Sequence, residues 1–217
     1  MSEFFEKDFA IFDREQFAFQ QIKAELTDHE VEEIKTAFKT VWQKWKMIQL
    51  NVYTQLDQNY YAKPKIESWT NGWNLRSHFW SAYRGINRQN ENACIGVLLN
   101  KKQLQIYLMY QHYKSADRSG TVGAYNQLLE SLPEWSEPID LTDYYIWPQQ
   151  EHELMDHLPL QKYLQNPSLQ HEFRNQLADR TFQLGKLYFR EAEIAQVEEK
   201  ILQAFEELAV LYRMLED

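Results

Sequence analysis

ACIGVLLNKKQLQIYLMYQHY, residues 93–113, reads as two strands joined by a polar turn. Residues 93–99 are almost wholly apolar, as in a strand covered on both faces, whereas residues 103–113 alternate strictly between two sets. One set is Leu104, Ile106, Leu108, Tyr110 and His112; the other is Gln103, Gln105, Tyr107, Met109, Gln111 and Tyr113. Asn100, Lys101 and Lys102 separate the two runs, so the segment predicts an antiparallel hairpin at the centre of a sheet.

Outward from this hairpin the pattern becomes helical. Thr27-Asp-His-Glu30 is a capping box, in which hydroxyl and carboxylate satisfy each other's free amides. Val31, Ile34, Phe38, Val41, Trp45, Ile48, Val52 and Leu56 then recur at spacings of three and four, predicting one long amphipathic helix over residues 28–56. A shorter helix is expected before it, on Phe9, Phe12, Phe19, Ile22 and Leu26. At the other end, Ile194, Val197, Ile201, Ala204, Leu208, Leu211 and Leu215 predict a closing helix from about Glu191.

Between hairpin and ends the expectations are a strand at residues 66–70, a helix at 121–132 stopped by Pro133 and a short edge strand at 143–147. A helical stretch at 158–177, interrupted at Asn166 and Pro167, precedes a strand at 181–190 with a bulge about Gly185. Residues 74–85 read as a short helix, with Asn74 as N-cap and Gly85 just past the end, although aromatic residues also suit a strand. The whole is an α+β single domain over residues 1–217: a central antiparallel sheet of about four or five strands, with long amphipathic helices at the N- and C-terminal ends.

Charge is distributed unevenly. The chain carries minus nine overall, yet residues 62–118 carry plus six, between flanks of minus four and minus eleven. Eight aromatic residues share that basic centre. A positive field beside flat π-faces suits phosphates, carboxylates and bases. The overall negative charge disfavours nonspecific duplex binding.

Several chemistries lack their signatures. No G-x-G-x-x-G follows a strand, and neither a P-loop nor a G-x-S-x-G elbow occurs. No cofactor and no metal site is expected: Glu151, His152, Glu153, Asp156 and His157 are ligand-type residues without H-E-x-x-H order. Cys94 is the single cysteine and sits in an apolar run, which predicts a buried structural thiol and a reducing compartment. The acidic amino terminus lacks signal-peptide pattern and no apolar run reaches the roughly eighteen residues of a membrane span, so the expectation is a bacterial cytoplasmic protein without a membrane partner.

The candidate ligand contacts are Trp73, Arg76, Trp80, Arg84, Tyr110, His112 and Lys114. Arg76, Trp80 and Arg84 stand four apart, so a helix would align guanidinium groups beside an indole. In the alternative, the tryptophans are core anchors and the arginines pair with acidic groups of the terminal helices. His78 and His112 are candidate acid-base residues should they converge.

The run SWTNGWNLRSHFWSAYR, with CIGVLLNKKQLQIYLMYQHYK after it, resembles a family of Gram-positive bacterial cytosolic proteins, a resemblance that implies no activity. TFQLGKLYFR, followed by a closing helix bearing Leu208, Leu211 and Tyr212, is loosely similar to the N-terminal recognition domain of McrB-type restriction proteins. That similarity implies reading of modified bases in DNA. The expected function is therefore noncatalytic binding of an anionic or planar small molecule, or of nucleic acid. The alternatives are an enzyme, hydrolase or nuclease, and a modified-base recognition module.

Overall fold

A computed structural model describes residues 2–149 and 157–216. Nine strands are present among them: β1 (Lys65–Ile66), β2 (Thr70–Asn71), β3 (Asn74–Leu75), β4 (His78–Tyr83), β5 (Ala93–Asn100), β6 (Gln103–Tyr110), β7 (Tyr144–Pro148), β8 (Leu158–Pro159) and β9 (Phe182–Phe189). Seven form one antiparallel sheet in the order β1-β4-β5-β6-β9-β7-β8, and β2 and β3 form a separate ribbon. The sheet is thus larger than the four or five strands expected, because β4 fell in the segment read as a helix and β8 is a two-residue edge too short to leave a periodic signal.

The hairpin of β5 and β6 is central, with Val97 opposite Ile106. Asn100 makes its turn: Oδ1 accepts from the amides of Lys102 at 2.8 Å and Gln103 at 3.1 Å.

The helices are α1 (Glu6–Ala10), α2 (Phe19–Glu25), α3 (Asp28–Gln55), α4 (Val122–Gln127), α5 (Leu132–Ser136), α6 (Leu160–Leu164), α7 (Pro167–Leu177) and α8 (Val197–Arg213). The Thr27–Glu30 capping box opens α3, and Val31, Phe38, Val41 and Trp45 are buried along it. Together α3 and α8 cover one face of the sheet, burying Phe79, Tyr83, Ile95, Val97, Leu104, Ile106 and Leu108. Among the described residues no helix is long and apolar enough to cross a membrane.

Residues 74–85 hold the strands β3 and β4 and no helix. Gly85 has φ −60 and ψ 152, not the left-handed backbone of a helix stop, and β4 pairs along its length with β5. Pairing with β5 along the whole of β4 overrides the local capping signals. The bulge expected at Gly185 is likewise absent, since β9 pairs in unbroken register with β6. Gly185 instead permits close approach: a Cβ there would lie 2.1 Å from the Ile106 carbonyl oxygen.

Three smaller corrections share a cause, the limited reach of local pattern. Pro133 sits in the first turn of α5, where a missing N–H costs nothing, rather than ending a helix. β7 is not an edge, because β8 adds one further strand beyond it. The residue 66–70 segment divides between β1 and β2.

Candidate functional site

The second face of the sheet carries the alternate residues. Trp80, Ala82, Cys94, Leu98, Tyr107, Met109, Trp147 and Leu187 form a second buried cluster there. Tyr107 stands opposite Gly96 on one neighbour and Gly185 on the other. A Cβ on Gly96 would lie 3.1 Å from the Tyr107 ring and 3.2 Å from the Trp80 indole nitrogen, so the tyrosine ring lies over the glycine toward the indole.

Above this aromatic floor opens a cleft of about 570 Å³, whose lining includes Arg14, Glu67, Arg76, His78, Trp80, Lys101, Tyr107, Gln111, His112 and Tyr113. That volume suits a small organic ligand. Among the described lining residues Glu67 is the one carboxylate, and Arg76 holds it at 2.6 Å. Arg14 and Lys101 leave the cleft net positive within an acidic protein.

Arg84 lies behind Gln111. Only 6% exposed, it has no carboxylate within ion-pair reach among the described residues. Its Nε donates to the Glu91 carbonyl at 3.0 Å and its Nη2 to Gln111 Oε1 at 2.9 Å. A buried cation without a counter-ion is costly, and its field is weakly screened. Arg84 and Arg118 both pull the Cys94 thiol toward ionisation, but burial prevails and pushes its pKa up, which leaves the thiol inert.

Both histidines line the cleft. Burial, reinforced by Arg76, lowers the His78 pKa to about 4. Burial also lowers that of His112, against a weaker pull upward from Asp179. Each ring is therefore neutral at pH 7. His112 Nε2 lies 3.0 Å from Thr181 Oγ1, and that hydroxyl donates to Gln149 Oε1, also at 3.0 Å.

Of the sequence candidates, Arg76, Trp80, His78 and His112 come together in the cleft, and Arg84 reaches it through Gln111. The others do not. Trp73 is 87% exposed at the tip of the β2–β3 ribbon, where Gly72 takes φ 58. Tyr110 belongs to the first face, its hydroxyl donating to the Gly120 carbonyl at 2.9 Å, and it lines a different cavity of about 510 Å³ beside Arg88 and Glu91. Lys114 sits in a left-handed turn, with its ammonium 5.6 Å from the Tyr113 ring centre.

Sequence reasoning passed over Tyr107, Gln111, Lys101 and Arg14. The first two were visible as the polar and aromatic half of an alternating strand, but Arg14 arrives from the N-terminal segment and left no signal. Of the acidic run considered for metal, residues 151–156 lie outside the described residues, and the His157 ring lies 4.7 Å from that of Trp147. Among the described residues no group of three or more His, Cys, Asp or Glu is placed to hold a metal ion.

A protein-family model matches residues 4–215, and the chain belongs to that family. It is also similar to an uncharacterized protein of Haemophilus influenzae, with 37% identity over 141 residues. This match covers 64% of the chain and 65% of the relative, so the alignment spans just under two thirds of the relative's length.

Proposed function

We propose that this protein is a noncatalytic cytoplasmic binder of a planar, anionic small molecule, held in the second-face cleft. The observation that carries the reading is Arg84, a buried guanidinium without a carboxylate, set behind a cleft that Arg14, Arg76 and Lys101 already make positive. An anion there supplies the missing counter-charge, while Trp80 and Tyr107 supply flat apolar surface. The buried single Cys94 accords with a reducing compartment.

The test is a thermal-shift and Trp-fluorescence titration with nucleoside phosphates, aryl phosphates, sugar phosphates and short oligonucleotides. Planar anions should raise the melting temperature by mass action, ring-free phosphates much less, and salt should weaken binding. Arg76→Gln with Arg84→Met should cut affinity at least tenfold while the chain still folds, because losing Arg84 strands no carboxylate and the Glu67 released by Arg76→Gln is partly exposed to water. Failure of every planar anion at millimolar concentration, or unchanged affinity in the double variant, overturns the reading.

A second reading rests on the two neutral imidazoles in one cleft, either of which is free to accept a proton in hydrolysis. Turnover of the bound compound, lost in His78→Asn or His112→Asn while binding persists, would favour it. The likeness to McrB-type domains would instead place an extruded modified base in the cleft, and oligonucleotides that outbind free nucleotides would reveal that.

A further inference from the structure

The hydrogen-bonding pattern of the cleft wall narrows the ligand, on the premise that the cleft binds a planar anion. Gln111 and His112 are adjacent in sequence and both line the cleft. A guanidinium has donors only, so Arg84 Nη2 at 2.9 Å obliges the Gln111 amide to turn its oxygen inward. Its NH₂ is left as the outward donor.

The neighbouring imidazole is oriented by the same kind of accounting. Thr181 has one hydroxyl proton, which goes to Gln149 Oε1 at 3.0 Å, so Thr181 Oγ1 accepts from His112 Nε2–H at 3.0 Å. In the neutral ring this leaves Nδ1 as an acceptor. The wall thus presents one fixed donor and one fixed acceptor side by side, next to the stacking surface of Trp80 and Tyr107 and the charge of Arg76.

We infer that the ligand is a nucleotide-like molecule, a planar heterocycle whose edge carries an acceptor beside an N–H donor and whose phosphate or carboxylate meets the excess positive charge that Arg14 and Lys101 add to the Arg76–Glu67 pair. The acceptor meets the Gln111 NH₂ and the N–H meets His112 Nδ1. Each lost contact strands a polar group beneath the bound ring, so a heterocycle lacking the edge binds about tenfold to hundredfold more weakly.

The experiment compares nucleoside monophosphates with the same compounds methylated on the edge nitrogen, and with phenyl phosphate, by calorimetric titration of the wild-type chain. The expected result is that at least one nucleotide binds and that its methylation costs tenfold or more. Gln111→Glu supplies the second arm: its carboxylate would pair with Arg84 and keep the fold, while removing the donor. That variant should lose the preference of the nucleotide over phenyl phosphate, whatever the added charge does to both. Equal binding of methylated and unmethylated nucleotides, or a preference unchanged in Gln111→Glu, overturns the edge assignment and leaves planar-anion binding standing. Binding of neither nucleotide nor phenyl phosphate refutes both.

Discussion

The two faces of the sheet are built from the same strands and bury charge in opposite ways. On the first face Lys186, 4% exposed, meets Glu207 at 2.9 Å, and Glu207 also accepts from the Tyr144 hydroxyl at 2.6 Å. Ser81 and Tyr83 there donate to Gln49 Oε1 at 2.7 and 2.8 Å. On the second face Arg84 lacks a carboxylate, and the Gln105 amide, wholly buried, has no hydrogen-bond partner on either atom among the described residues. The buried charge under the helices is paired inside the fold, although Gln49 Nε2 and Trp45 Nε1 there lack partners among the described residues; on the second face the charge of Arg84 is left over. Such leftovers cost stability, and the proposed anion would offset that cost.

The severest break of this comparison is Gly185→Ala. Its Cβ would meet backbone at 2.1 Å, so β9 and β6 would have to part and both faces would fail together. We expect loss of about 4 kcal/mol or more, or no folded protein at all, by denaturant unfolding. Gly123→Ala is the control, because a Cβ there meets nothing within 4 Å.

Next comes Glu207→Leu, which strands Lys186 on the first face and should cost about 3 to 5 kcal/mol. Arg84→Met, its counterpart on the second face, should cost far less, since no carboxylate is stranded. Similar losses for the two, in the same unfolding assay, would erase the distinction between the faces.

Acidification bears on the second face through its two histidines. His78 titrates near 4 when folded and near its ordinary 6.5 when unfolded, so the unfolded chain binds more protons between these values. The contribution of neutral His78 is complete above about pH 6.5 and declines as pH falls toward 4. His112, lowered in the same direction, adds to the decline. His78→Asn should flatten the dependence of melting temperature on pH over that interval, while affinity for an anion should rise in the wild type as both rings charge. A pH slope unchanged in the variant would remove His78 from the cause.

The smallest effect is a gain. Gln105→Met removes an unpaired buried amide at nearly constant shape and should stabilise the apo protein by about 1 kcal/mol. Destabilisation instead would mean that the amide is engaged, and the contrast between the faces would narrow.

Arg76, Trp80 and Arg84 show how a shared face is legible where the secondary structure is not. Their spacing of four places them together on a helix, which is what the local caps suggested, but four is also a multiple of the strand period, so β4 and its flanks align them equally. On the strand and its flanks, Arg76 and Trp80 still line one cleft, with Arg84 behind it. Tyr110 shows the converse. It shares the basic segment with the cleft residues, yet its parity in β6 assigns it to the first face.

What the sequence by itself determined is whatever repeats along the chain: the α3 cap and stripe, the α8 stripe and the two-residue period of the central hairpin, because burial of one face imposes a period. Tertiary structure alone decided the number of strands, the strand state of residues 78–83, the role of Gly185 and the company kept by Arg84. Those depend on which backbone or side chain arrives from far along the chain: Ile106 against Gly185, Thr181 against His112, Arg14 at the rim of the cleft. Periodicity records the face a residue turns inward; only the assembled sheet determines what it meets there.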